Sequence, residues 1–146
     1  MHTQKGEVFT ELVLEVFKLS GVLVSEGDRI SGGFGLSSAS WKVLSVVAMA
    51  DEPLTVAQVA REMGQARQSV QRIADNMVKS GYLSWKDNPA HKRAKLLALT
   101  EKGSHVFRQL ESAQVPWANE TSQQVDAREL DIALNVLRAL IERLET

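Results

Sequence analysis

Residues 54–81, LTVAQVAREMGQARQSVQRIADNMVKSG, decide how the rest of the chain is read. Thr55-Val56-Ala57-Gln58 has the Thr-x-x-Gln spacing of a capping box, in which hydroxyl and carboxamide reciprocally satisfy two backbone amides. Leu54 and Val59 flank it as a hydrophobic staple. The helix it opens is short, because Gly64 follows Met63 and glycine readily takes the left-handed conformation that ends a helix. A second helical pattern begins at once. Ala66, Val70, Ile73 and Met77 predict an inward stripe, while Arg67, Gln68, Gln71, Arg72 and Asp75 face away from it. Gly81 is placed to end this helix, with Lys79 in the last turn, where a cation meets the negative pole.

Beyond Gly81, Leu83–Lys86 and Lys95–Leu99 read as two strands. The turn-forming, basic stretch Asp87–Ala94 joins them into a hairpin too short to be stable unless packed on the helices. Thr100 caps a further helix expected to run past residue 120, with a kink or break near Val115 because Pro116 has no amide proton. Asp126-Ala127-Arg128-Glu129 then opens the last helix as an acidic form of the capping box, stapled by Val125 and Leu130. Leu130, Leu134, Leu137, Ile141 and Leu144 repeat at 4-3-4-3, a heptad-like seam. Spacing alone leaves open whether that seam closes within the chain or against a second copy.

Toward the N-terminus, Ser37 is the N-cap of a helix over about residues 38–49, stapled by Leu36 and Trp41 and stopped ahead of Pro53. Before it, Phe9, Leu12, Val13, Val16, Ser20, Leu23 and Val24 mark one face of a helix from about Glu7 to Ser25. Glu26-Gly27-Asp28-Arg29 reads as its end and Ser31–Gly35 as a loop.

The 146 residues, 44% hydrophobic and 24% charged, suit one globular domain or a small domain with an appended helical element. The net charge of −1 conceals an asymmetry. Residues 61–102 hold nine Lys/Arg and four acids, a net +5, which leaves −6 for the remainder. A basic middle between acidic flanks is expected where one module meets phosphate. The absence of cysteine excludes disulfides, thiolate metal sites and thiol redox sensing. His2, His91 and His105 have no spacing that builds a metal site, and nothing calls for a cofactor. Ser31–Gly35 is no phosphate loop, since no Gly-Lys-Ser/Thr follows. No nucleophile elbow, His-Glu-x-x-His or catalytic pair is present, so no enzyme is expected. No apolar run is long enough to span a bilayer, and the start lacks a signal-peptide core, which predicts a cytoplasmic protein.

A short capped helix, a glycine turn, a polar-faced helix and a basic hairpin make a winged helix-turn-helix. Gln65, Arg67, Gln68, Ser69, Gln71 and Arg72 crowd the N-terminal half of the second helix, the half that reaches the groove floor in such motifs. Arginine can fork onto guanine O6 and N7, and glutamine can pair with adenine N6 and N7. Lys92, Arg93 and Lys95 place cations on or beside the wing tip, next to His91, in reach of flanking phosphates or a minor groove. Double-stranded DNA is the expected partner. Two blander readings stay open: a solvated polar face, and a winged helix that binds protein instead of DNA. Trp41 suits either a core staple or the wall of a ligand pocket, with Phe34 and His105 as its candidate companions.

Four stretches resemble the MarR family of bacterial regulators: Leu36–Leu44, Leu54–Ala60, Asn76–Leu83 and Leu97-Ala98-Leu99-Thr100-Glu101-Lys102-Gly103. The last, Leu-x-Leu-Thr-x-x-Gly after a wing, is the most specific. The resemblance implies a mainly α fold with a small β-hairpin wing, a winged helix-turn-helix core plus N- and C-terminal dimerisation helices. Residues 1–36 would be the N-terminal dimerisation helix and loop, 37–100 the DNA-binding domain and 101–146 the C-terminal dimerisation helices. It further implies a homodimer on a pseudo-palindromic operator, most often as a repressor, released by a small aromatic or anionic effector. In one place the match fails. The family's wing usually carries Asp-x-Arg, the acid orienting the arginine, whereas here His91-Lys92-Arg93 keeps only the arginine. Either Asp87 replaces the missing acid, or His91 itself meets phosphate once protonated and raises DNA affinity in mildly acidic solution.

Overall fold

The computed structural model describes residues 1–145. Its elements run α1 (Gln4–Gly32), α2 (Ser38–Met49), β1 (Leu54–Thr55), α3 (Val56–Met63), α4 (Arg67–Lys79), β2 (Leu83–Lys86), β3 (Leu96–Leu99), α5 (Glu101–Ser122) and α6 (Ala127–Leu144). The chain divides into two compact units, Met1–Glu111 and Ser112 onward.

The core of the first unit is the inward stripe of each helix closed over the sheet. Val43, Leu44 and Val47 of α2 meet Val59 and Ala60 of α3 and Val70, Ala74 and Met77 of α4. Leu83, Leu97, Val106 and Leu110 complete it. Ala74, rather than Ala66, belongs to the α4 stripe. Ala66 is instead the exposed N-cap, one residue outside the helix, and the true stripe starts a turn later. The sheet has three antiparallel strands in the order β1-β3-β2, with Leu97 paired to Leu54 on one side and Trp85 on the other. Strand β1 escapes sequence pattern because it is two residues long and doubles as the lead-in to the α3 cap.

Two expectations about helix ends need correction. Helix α1 does not end near Ser25 but continues to Gly32, so only the last part of the expected 31–35 loop is a turn. Within the stretch expected as its terminus, Gly27 and Asp28 meet α2 instead. A Cβ on Gly27 would stand 2.5 Å from Ser38 Oγ, so any larger residue there would have to displace the Ser38 side chain. Asp28 Oδ1 accepts from Ser38 N at 2.7 Å, filling an orphan amide of the α2 first turn. Ser31 Oγ, fully buried, donates to Gly27 O at 2.7 Å. Arg29 Nε donates to Glu26 Oε2 at 2.9 Å, which holds the guanidinium pKa above its ordinary value by hydrogen bond first and charge second. Of the kink or break expected near Val115, the break is absent, since α5 is one helix from Glu101 to Ser122 with Pro116 inside it. Proline there leaves one carbonyl a turn earlier without its donor, and the turns on either side keep theirs.

The other boundaries follow local chemistry. Ser37 accepts from Ser40 N at 3.1 Å to open α2, and Asp126 Oδ2 accepts from Glu129 N at 3.1 Å to open α6. The Leu-x-Leu-Thr-x-x-Gly stretch has a physical meaning. Leu97 is fully buried in the core. Thr100 Oγ1 donates to Gly81 O and accepts from Gly103 N at 3.0 Å. Gly103 lies so close to the Tyr82 carbonyl that any Cβ would collide with it. Lys102 Nζ donates to Ser80 O at 2.8 Å and sits 4.5 Å from the Tyr82 ring centroid. The start of α5 is thus stitched to the C-terminal end of α4.

Candidate nucleic-acid interface

The position of α4 is set by α3 and the turn between them. Thr55 N donates to Gln58 Oε1 at 2.9 Å and Gln58 N to Thr55 Oγ1 at 3.2 Å, closing the capping box. Gly64 takes φ +62° and its amide reaches back to the last turn of α3, while Gln65 N donates to Ala60 O at 3.0 Å. The reversal therefore takes three residues, and α4 starts at Arg67 against the α3 face. Its N-cap, Ala66, offers no side-chain acceptor, so the first-turn amides stay open at the positive pole of the helix.

From there the candidate residues separate into three groups. Arg67 and Gln71 come together with Arg93 and Lys95 in a cavity of about 310 Å³ between α4 and the wing, also lined by Asp75 and Trp85. Gln65 and Ser69 lie on the opposite flank, lining a second cavity of about 150 Å³ with Val24, Lys42 and Ile73. Gln68 and Arg72 are exposed and line neither cavity, and His91 and Lys92 are exposed at the tip. Sequence periodicity treats the polar side of α4 as one face, and the structure divides it by what stands beside it. Among the described residues, Arg67, Arg72, Lys92, Arg93 and Lys95 make no ion pair. A cationic surface open at the N-terminal half of a helix and along an adjacent hairpin can bind phosphate and base edges without first breaking internal bonds.

Two contributors went unread in the sequence. Asp75 Oδ1 accepts from Gln71 Nε2 at 3.1 Å within the groove. Asn88 organises the wing tip: its Nδ2 donates to Ala94 O at 2.9 Å, its Oδ1 accepts from Ala90 N at 3.1 Å, and its carbonyl accepts from His91 N. The signal was the Asn-Pro pair at 88–89, since asparagine commonly folds back on the backbone two residues on. Asp87 makes no ion pair with Arg93. Asn88→Ala is expected to free the tip at a local cost of about 1–2 kcal/mol. Amide exchange should accelerate at residues 90–94 while the global melting temperature holds, and unchanged exchange there would contradict it.

Phe34 and Trp41 are half-buried against the core. His105 is exposed on α5 in an open depression with Thr100, Glu101, Ser104 and Arg108, a lining that includes neither Phe34 nor Trp41. Among the described residues no group of three or more His, Cys, Asp or Glu is placed to hold a metal ion. Nor is any helix long and apolar enough to cross a membrane.

Helix α3, a glycine turn, α4 with its open cations and a braced hairpin define a winged helix-turn-helix protein. The model of the MarR family matches residues 34–94, from the α1–α2 turn through the wing tip. The uncharacterized protein Rv2011c of Mycobacterium tuberculosis is 37% identical over 140 residues, 96% of each chain. The transcriptional regulator PA3341 superposes with a TM-score of 0.82 at 24% identity, covering 92% of this chain and 98% of its own. CouR from Rhodococcus jostii RHA1, solved bound to p-coumaroyl-CoA, superposes with a TM-score of 0.79 at 17% identity, over 89% of this chain and 91% of that one. The chain belongs to the MarR family and has the fold of its transcriptional regulators.

Proposed function

We propose that the protein is a sequence-specific, non-enzymatic transcriptional repressor of the cytoplasm, acting as a homodimer on a pseudo-palindromic operator. The observation that carries this reading is the group of unpaired cations converging from α4 and the wing. Residues 37–100 are the DNA-binding domain, with α4 in the major groove and the wing on flanking DNA. Residues 1–36 and 101–146 are the dimerisation elements. Their apolar side chains support the assignment, since Phe17 is 70% exposed, Leu130 47% and Leu137 40% in the single chain. Two copies would set half-sites about 10–10.5 bp apart, or a multiple of that. The p-coumaroyl-CoA bound to CouR supports a small aromatic or anionic effector that releases DNA, for which Trp41, Phe34 and His105 remain the proposed contacts.

Selection of bound sequences from random duplex DNA tests the reading directly. A recovered inverted repeat supports it, and no enrichment overturns it. Affinity for the selected site should fall about 10³–10⁵-fold between roughly 50 and 200 mM salt if six to ten phosphates are met. A winged helix built to bind protein would show no such slope. Arg72→Ala should cost about 1–3 kcal/mol and relax preference at one base pair, whereas Lys92→Ala should weaken all sequences alike and flatten the salt slope by about one unit. Competition with defined duplexes distinguishes the two patterns, and parental binding by both variants would remove these residues from the interface.

A further inference from the structure

The hydrogen bond from Gln71 Nε2 to Asp75 Oδ1, 3.1 Å long, lies inside the cationic groove rather than on a featureless helix surface. Its chemistry leaves one orientation for the glutamine. An ionised carboxylate only accepts, so the carboxamide must turn its NH₂ toward Asp75 and carry its carbonyl oxygen on the other side. Gln71 Oε1 has no partner among the described residues. Asp75 is also the one acidic side chain lining that cavity beside Arg67, Arg93 and Lys95. A carboxylate there opposes phosphate binding, so its presence calls for a compensating role.

We propose that Asp75 is a positioning residue that sets base specificity by latching Gln71 with its acceptor leading. The inference rests on the DNA-binding reading above. A free glutamine can flip its amide and satisfy a donor or an acceptor on the base edge. The latched one presents Oε1, which suits the exocyclic amines of adenine N6 and cytosine N4 and is repelled by guanine O6 and thymine O4. Adenine is the better fit, because the second amide proton of Gln71 is left for adenine N7. Holding the side chain before contact also removes rotamer freedom that binding would otherwise have to take away.

The test is sequence selection from random duplex DNA with the full-length parent, Gln71→Ala, Asp75→Asn and Asp75→Ala. Both positions are exposed, and thermal melts check that all four proteins are equally folded. Gln71→Ala identifies the base pair that Gln71 reads, as the one whose preference disappears. At that pair the parent should favour A·T over G·C by about 5- to 100-fold. Asp75→Asn, which can donate as well as accept and so permits the flip, should reduce that ratio below about 3-fold while leaving other positions unchanged. It should also raise affinity for non-specific duplex, because a negative charge leaves the groove. A parental preference for G·C at that pair, retention of parental discrimination by Asp75→Asn, or no base pair changed by Gln71→Ala each overturns the latch and leaves the DNA-binding reading standing. Failure of the parent to enrich any sequence overturns both.

Discussion

Gly103→Ala is expected to lower the melting temperature by roughly 6–12 °C, from a loss of about 3 kcal/mol. The cause is a single methyl group with nowhere to go. Its position is occupied by the Tyr82 carbonyl, a backbone atom that cannot swing aside, with Leu99 Cδ2 another 3.3 Å away. Moving α5 outward to relieve the collision would pull Thr100 from Gly81 and Gly103 N from Thr100, and would disturb Val106 and Leu110 in the core. Gly21→Ala is the control, since a Cβ there meets nothing within 4 Å and α1 should gain helix propensity. Calorimetry on the two variants should give shifts of opposite sign. A Gly103→Ala protein melting with the parent would show that the close approach is not maintained in solution.

Leu137→Glu is expected to convert the protein to a monomer that no longer binds a two-half-site operator. No residue of α6 is buried in the single chain, although its seam is leucine and isoleucine at heptad spacing. In the proposed symmetric interface a charge at Leu137 is buried twice, once from each copy. At about 3 kcal/mol per uncompensated charge, the dimer dissociation constant rises on the order of 10⁴-fold. Sedimentation at micromolar protein should show one species of half the parental mass with its helical content intact. Single half-sites should still be bound with the monomer's weak affinity. A Leu137→Glu protein that stays dimeric would place the seam outside the interface.

Much of the fold is legible in the sequence because its boundaries are written in adjacent residues. The Thr55–Gln58 box, the Ser37 cap, the Asp126 cap and the glycines at 64 and 81 each act within four positions, so reading along the chain suffices. The end of α1 is illegible for the opposite reason. Gly27 and Asp28 have their partner in Ser38, and without it they carry the composition of a helix terminus. At the candidate site, periodicity separates the polar side of α4 from the apolar one. It cannot assign Arg67 and Gln71 to the wing side or Gln65 and Ser69 to the α1–α2 side, because the neighbours come from other elements. The Asp75 bond joins residues only four positions apart, yet periodicity marks Gln71 and Asp75 merely as parts of one outward face and carries no sign that the two side chains touch.

The join at Gly27, Asp28 and Ser38 gives α1 a mechanical character. A rod of 29 residues, about 43 Å long, is clamped near one end to the helix that supports α4. With so short a grip, a tilt of about 5° at the clamp displaces the free end by about 3 Å, and a push at the free end is returned as torque on α2. Any surface that seizes the N-terminal half of α1 therefore holds a long handle on the angle of α4.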